Sequence, residues 1–178
     1  MNDIKLLVGK GSKFFDGTML VQKAVLSGRR GDAPRTLSVT LDDSEQHSRL
    51  KVNCGQGQAV YFYLGGKEVF RGLLMTDGRG NSRSLTLKAY DNCIYLCNNK
   101  GSFSYKKKTA TFIFKDCLKK LGLKLGTAVE TQFVIGELVK KATTYWDVIQ
   151  DALSQTYKST GIRYYVSSSK GKISLKKR

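Results

Sequence analysis

The 178-residue chain is 40% hydrophobic, enough for one large domain or two small ones around a real core, and its net charge is +17. No run approaches the roughly 20 apolar residues that cross a bilayer. The Met1-Asn-Asp-Ile-Lys5 start also lacks the basic-then-apolar layout of a signal peptide, so the expectation is a soluble protein made and folded in a cytoplasm. The charge excludes little alone, because a nucleic acid, an acidic protein or an anionic surface would each answer it.

The first half reads as strands. Residues 4–8 and 19–26 are short apolar stretches. In Arg35-Thr-Leu-Ser-Val-Thr-Leu41, Leu37, Val39 and Leu41 alternate with polar residues, the period of a half-buried strand. Residues 59–64 alternate again, with Val60, Phe62 and Leu64 on one face and Tyr61 and Tyr63 on the other. Residues 69–75 and 83–90 flank Asp77-Gly-Arg-Gly-Asn81, whose glycines and asparagine suit a tight reversal. Pro34, the single proline, stands in a turn just before a strand. About six short strands separated by turn signals predict a small antiparallel β-barrel or sandwich over residues 1–98.

From residue 98 the texture changes. Asn98-Asn-Lys-Gly-Ser102 reads as a polar joint. The run from Thr109 to Gly122 places Ile113, Phe114, Cys117, Leu118 and Leu121 at the helical period, with Gly122 where a left-handed cap would stand. Strand signals are weak at 123–125 and 132–135. A second helix follows at about 145–158, where the Thr144 hydroxyl can accept from an orphan backbone N–H and Asp147 completes a capping-box-like start. Residues 161–166 and 172–175 close the chain as a hairpin. Residues 99–178 therefore predict an α+β domain, two helices on a short sheet.

Candidate chemistry is sparse. His47, the chain's one histidine, lies in the polar Asp42-Asp-Ser-Glu-Gln-His-Ser48 stretch, where a solvated role is expected. Asp42, Asp43 and Glu45 form the only acidic cluster and read as a solvated loop, not a glycosidase pair. Gly9-Lys-Gly-Ser-Lys13 lacks the spacing of a phosphate loop, and Gly65-Gly-Lys67 is followed by Glu68 where a hydroxyl would be needed. Cys93 and Cys97 are spaced CxxxC without a second ligand pair, so Cys54, Cys93, Cys97 and Cys117 read as reduced thiols and no metal is expected. No catalytic residue and no cofactor emerge.

The charge is uneven. Residues 1–98 carry 14 Lys and Arg against 9 Asp and Glu, while residues 99–178 carry 17 against 5, so +12 of the +17 lies in the second part. Lys106, Lys107, Lys108, Lys119, Lys120, Lys140 and Lys141 are the candidate basic surface, for which phosphates with bases stacking on nearby aromatic rings are one partner. Lys119 and Lys120 also favour the dipole of a helix end. Arg163 and Arg178 are the only arginines of this half, and lysine reads sequence poorly.

Taken in order, several segments resemble the XkdQ/YqbQ family of defective PBSX-type prophages and related phages and bacteriocins. Arg29 to Leu41 is similar to its early strand, and Gly66-Lys-Glu-Val-Phe-Arg-Gly-Leu-Leu74 to its G-x-x-V-F-x-G hairpin. Leu87 to Leu96 resembles its A-Y-D strand, residues 109–123 and 144–153 its two helices, and Gly161, Tyr164 and Gly171 to Leu175 its closing hairpin.

That resemblance, covering about residues 20–175, implies a non-enzymatic tail component similar to the hub of contractile-tail baseplates. It also implies tube, spike and baseplate proteins as partners, self-association in the particle, and a place in the virion tail after synthesis in the bacterial host. Val60, Tyr61, Phe62, Tyr63 and Leu64 are then a candidate subunit-interface strand, though the same residues fit barrel core or shell. Family members usually run longer, with a second barrel where this chain stops. A basic nucleic-acid-binding module is the alternative reading. A wall-degrading tail enzyme would need a catalytic group that these residues do not offer.

Overall fold

The computed structural model describes residues 3–28, 33–43, 54–79 and 84–178. These divide into two compact units, residues 3–28 with 35–91, and residues 33–34 with 92–178.

The first unit is a seven-stranded antiparallel sheet. Its strands are β1 (Ile4–Lys10), β2 (Lys13–Asp16), β3 (Val21–Ser27), β4 (Thr36–Asp42), β5 (Ala59–Leu64), β6 (Lys67–Arg79) and β7 (Ser84–Asp91), in the order β2-β1-β5-β6-β7-β4-β3. Alternation in the sequence becomes burial in the sheet. Leu37, Val39 and Leu41 of β4 stand directly opposite Ala89, Leu87 and Leu85 of β7, and all six are buried. Val60 and Phe62 of β5 join them, whereas Leu64, at the strand end, is 46% exposed. The second glycine of the G-x-x-V-F-x-G segment is sterically required, since a Cβ on Gly72 would lie 2.1 Å from the Tyr90 carbonyl oxygen.

Two expectations change here. The barrel is not closed among the described residues, because no ladder joins β3 to β1 or β2 and the sheet keeps two edges. Nor does β6 end before Asp77, since it runs on to Arg79, pairing Asp77 with Leu87 and Arg79 with Leu85 after a register shift. The ladder offered by β7 outweighs the turn-forming residues there, and residues 75–78 are exposed, so burial leaves no pattern to read. His47 and Glu45, with the rest of the reversal at residues 80–81, lie outside the described residues.

The second unit is α+β: α1 (Ile94–Asn98), β8 (Lys100–Thr109), α2 (Ala110–Lys120), β9 (Leu125–Ala128), β10 (Val134–Thr144), α3 (Tyr145–Thr160), β11 (Tyr164–Ser169) and β12 (Lys172–Lys177). Instead of two helices on one sheet it has three helices and two small sheets, β8 with β10 and β11-β12-β9, in which β12 runs parallel to β9. Residues 98–102, expected as a joint, carry the chain from α1 directly into β8.

Both longer helices start as their threonines foretell. Thr109 Oγ1 accepts from Phe112 N–H at 3.2 Å, and Thr144 Oγ1 accepts from Asp147 N–H at 3.0 Å. Gly122 takes φ 64° after α2, where Leu123 N–H donates to the Leu118 carbonyl. Ile113, Phe114, Cys117 and Leu118 of α2 pack in one core with Val148, Ile149, Ala152 and Leu153 of α3.

Candidate functional site

Among the described residues the first unit presents one long free sheet edge. β3 pairs with β4 alone, and six of its seven residues are exposed, including Val25 at 42% and Leu26 at 44%. A cavity of about 430 Å³ lies between Val21, Ala24 and Leu26 of β3 and Ile4, Phe62, Leu64 and Val69. Soluble proteins normally blunt such an edge with charge, proline or cover, because its unpaired N–H and C=O groups template another strand. The sequence hides this feature. An apolar run such as residues 19–26 looks the same whether it is central or marginal, and only the pairing order places it at the border.

The expected interface strand is interior to the sheet. β5 pairs with β1 on one side and β6 on the other, so its backbone is already satisfied. Val60 and Phe62 point into the core, Tyr61 and Tyr63 are half-buried, and Leu64 is exposed. Tyr61 is held from two sides: the Phe14 ring meets it edge-on at 5.3 Å, and the Arg71 guanidinium lies 4.6 Å from its centroid. Arg71 in turn forms a forked pair with Glu68, its Nε donating to Oε1 at 3.1 Å. The outer face of this strand is that of Tyr61 and Tyr63, while Leu64 shares the face of Val60 and Phe62 and lines the β3 cavity at the strand end.

The seven lysines all belong to the second unit, on three elements. Lys106, Lys107 and Lys108 lie on β8, Lys119 and Lys120 end α2, and Lys140 and Lys141 lie on β10. Not all are available. Lys120 Nζ meets Asp116 Oδ2 at 2.8 Å, and Lys140 pairs with Asp151. Lys108 Nζ lies 4.4 Å from the centroid of the Phe112 ring. Most acidic residues of this half are engaged as well: Glu130 with Lys115 and Asp147 at the cap of α3, while Glu137 stands opposite Lys106 in the ladder without an ion pair among the described residues. Lys108, Lys120 and Lys140 are thus engaged, and the remaining lysines of this half are spread over the β8–β10 ribbon, the end of α2, α3 and the closing hairpin.

Titratable groups inside this unit serve its packing. Tyr105 is buried and donates from its hydroxyl to Asp116 Oδ2 at 2.6 Å. Burial first, then that bond, pushes the phenol well above its ordinary range. Burial works to raise Asp116 too, but the bonds from Lys120 and Tyr105 outweigh it and hold the carboxyl below its usual value.

The signs follow from linkage. Tyr105 supports the fold below the unfolded phenol's pKa of about 10 and ceases to as pH rises past it, by about 1 kcal/mol per pH unit. Asp116 supports the fold above about pH 4 and ceases to as pH falls through its lowered value. Urea midpoints taken from pH 9 to 11 should therefore fall more steeply for the natural chain than for Tyr105→Phe, and equal slopes would remove this phenol from the account.

Burial raises the thiols of Cys54 and Cys117 to about 11, with the charge of Asp77 adding at Cys54, so both are poor nucleophiles at neutral pH. Among the described residues no three His, Cys, Asp or Glu side chains converge on a common point, and no helix is long and apolar enough to cross a membrane.

Comparison with known proteins places this arrangement. The signature of the YQBQ-like family matches residues 24–178. The chain is 29% identical over 174 residues to the phage-like element PBSX protein XkdQ of Bacillus subtilis, covering 97% of this chain and 52% of that protein. Two solved structures share the fold: the 43 kDa tail protein of prophage MuSo2 from Shewanella oneidensis, with TM-score 0.69 and 16% identity over 96% of this chain and 53% of that one, and a tail protein from Neisseria meningitidis, with TM-score 0.70 and 14% identity over 97% and 50%. The chain thus spans about half the length of the relatives it matches.

Proposed function

The chain belongs to the YQBQ-like family, and on that premise we propose that it is a non-enzymatic structural part of a phage tail or tail-like particle, of the baseplate-hub type, joining tube to spike. The observation that supports this most is the apolar edge of β3, free among the described residues, beside its cavity. In the particle, a strand of a neighbouring subunit lies along that edge and completes a small β-barrel in the domain spanning about residues 1–98. Repetition around the axis closes a ring. Tyr61 and Tyr63 of the outer face, with Leu64 at the strand end, pack on the same neighbour, and the α+β domain of about residues 99–178 turns its lysines toward an acidic tail protein. The work is geometric: it holds other proteins in register and transforms nothing.

The Lys106–Lys108 ribbon also supports a second reading, a nucleic-acid-binding module that meets phosphates by charge alone. One experiment separates the two. Val25→Lys with Leu26→Lys charges an exposed edge that folding does not need, so thermal stability should hold. Incorporation into particles, located by electron microscopy, should fall at least tenfold. Normal incorporation of that variant would overturn the edge-pairing reading. A natural chain that stays out of particles and binds duplex or single strands tightly, with affinity dropping steeply as salt rises, would favour the second.

A further inference from the structure

The second unit carries only two arginines after Asn92, and both fall on one cavity. α3 supplies one wall with Gln150, Leu153 and Tyr157, and the start of the closing hairpin supplies the other with Arg163 and Tyr165, beside Arg178. The fold sets the pair together, because Arg178 N–H donates to the Arg163 carbonyl at 2.9 Å. The Arg163 guanidinium lies 4.7 Å from the centroid of the Tyr157 ring and donates from Nη2 to the Tyr157 hydroxyl at 3.1 Å, which fixes its plane. Gln150 Nε2 is buried without a hydrogen-bond partner among the described residues. No carboxylate side chain lines the cavity.

Two arginines and an orphaned amide donor thus share one cavity, and the only lining group that answers a guanidinium is the neutral Tyr157. A buried donor left unpaired costs desolvation that an incoming acceptor relieves. A guanidinium of fixed plane, such as that of Arg163, matches a carboxylate through two parallel bonds. The cavity holds about 230 Å³, below the roughly 300–1,000 Å³ of metabolite and cofactor sites. It has room for one side chain.

We infer that this cavity receives a glutamate or aspartate side chain from an acidic segment of a partner protein, with Arg163 and Arg178 on its carboxylate and Gln150 Nε2 as a third donor. The site stands on its own geometry and does not require the β3 edge to pair.

The test uses the full chain, isotope-labelled for backbone amide NMR, and a blocked peptide with a single glutamate among glycines and serines. A single carboxylate avoids the general pull of many lysines. Titration should move the amides of residues 163–165 and 178, with a dissociation constant on the order of 1 mM. The glutamine counterpart of the peptide should leave them in place.

Gln150→Glu should abolish binding, and Arg163→Lys, which keeps the charge but loses the fork, should weaken it about tenfold. Lys106→Gln with Lys108→Gln should change it less than twofold. The proposal is overturned if Gln150→Glu binds normally, if the lysine variant loses as much as Arg163→Lys, or if the shifts centre on β8. Saturable binding of inorganic phosphate or a short oligonucleotide at residues 163–165, tighter than that of the peptide, would overturn the carboxylate assignment.

Discussion

Replacing Arg35 with alanine is expected to lower the stability of the first unit by about 3 kcal/mol, a large share of what holds a domain of this size together. The reason is Asp91, whose side chain is only 2% exposed at the end of β7 and accepts from Arg35 Nε at 3.1 Å. Asp91 N–H also donates to the Arg35 carbonyl at 3.0 Å, so side chain and backbone fasten the start of β4 to the end of β7 together. Losing the guanidinium takes one charged partner from a buried carboxylate, and removing one side of such a pair costs more than the intact pair contributes.

The contrast is the informative part. Arg35→Met combined with Asp91→Leu removes both charges and should recover most of the loss, since the apolar pair has no desolvation to offset. Urea unfolding of the single and double variants checks this. A double variant no more stable than Arg35→Ala would show that the rest of the Asp91 environment, not the charge, sets the cost.

Asp91 is also the last residue of the A-Y-D segment, which illustrates what the sequence could and could not convey. The strands whose faces alternate were legible: β4, β5 and β7 stand close to where Leu37, Val60 and Leu85 placed them. So were the helices headed by Thr109 and Thr144, because a hydroxyl, an amphipathic period and a closing glycine agree there.

β8 was not legible. Lys106, Lys107 and Lys108 break alternation, Lys107 takes φ 52°, and only the burial of Phe103 and Tyr105 against the helices makes the stretch a strand. Sheet edges are likewise a property of pairing order, so the exposure of Val25 and Leu26 could not be read from their apolar character. The two arginines of the second half illustrate the same limit. Their scarcity was plain, while their meeting on one cavity depends on the hairpin folding back over α3.

Thr111→Val should be the most damaging single change in the second unit, at about 3–4 kcal/mol, although it alters side-chain volume hardly at all. Thr111 and Thr131 are each no more than 1% exposed, and they form a closed exchange. Thr111 N–H donates to Thr131 Oγ1 at 3.0 Å, and Thr131 N–H donates to Thr111 Oγ1 at 2.8 Å. The Thr111 hydroxyl also donates to the Val129 carbonyl at 2.9 Å.

This exchange fixes the segment between β9 and β10 to the first turn of α2, where backbone N–H groups would otherwise be orphaned. Valine leaves Thr131 N–H and the Val129 carbonyl without that hydroxyl, in a place where water does not easily replace it. Each deserted buried group costs about 1–3 kcal/mol. Thr111→Ser keeps the hydroxyl and should lose only about 1 kcal/mol, the share of one methyl group. Amide exchange at Thr131 gives the local readout: strong protection in the natural chain and in Thr111→Ser, and early loss of it in Thr111→Val. If Thr111→Val and Thr111→Ser proved equally stable, the exchange would be incidental, and the β9–β10 segment would be held by apolar packing alone.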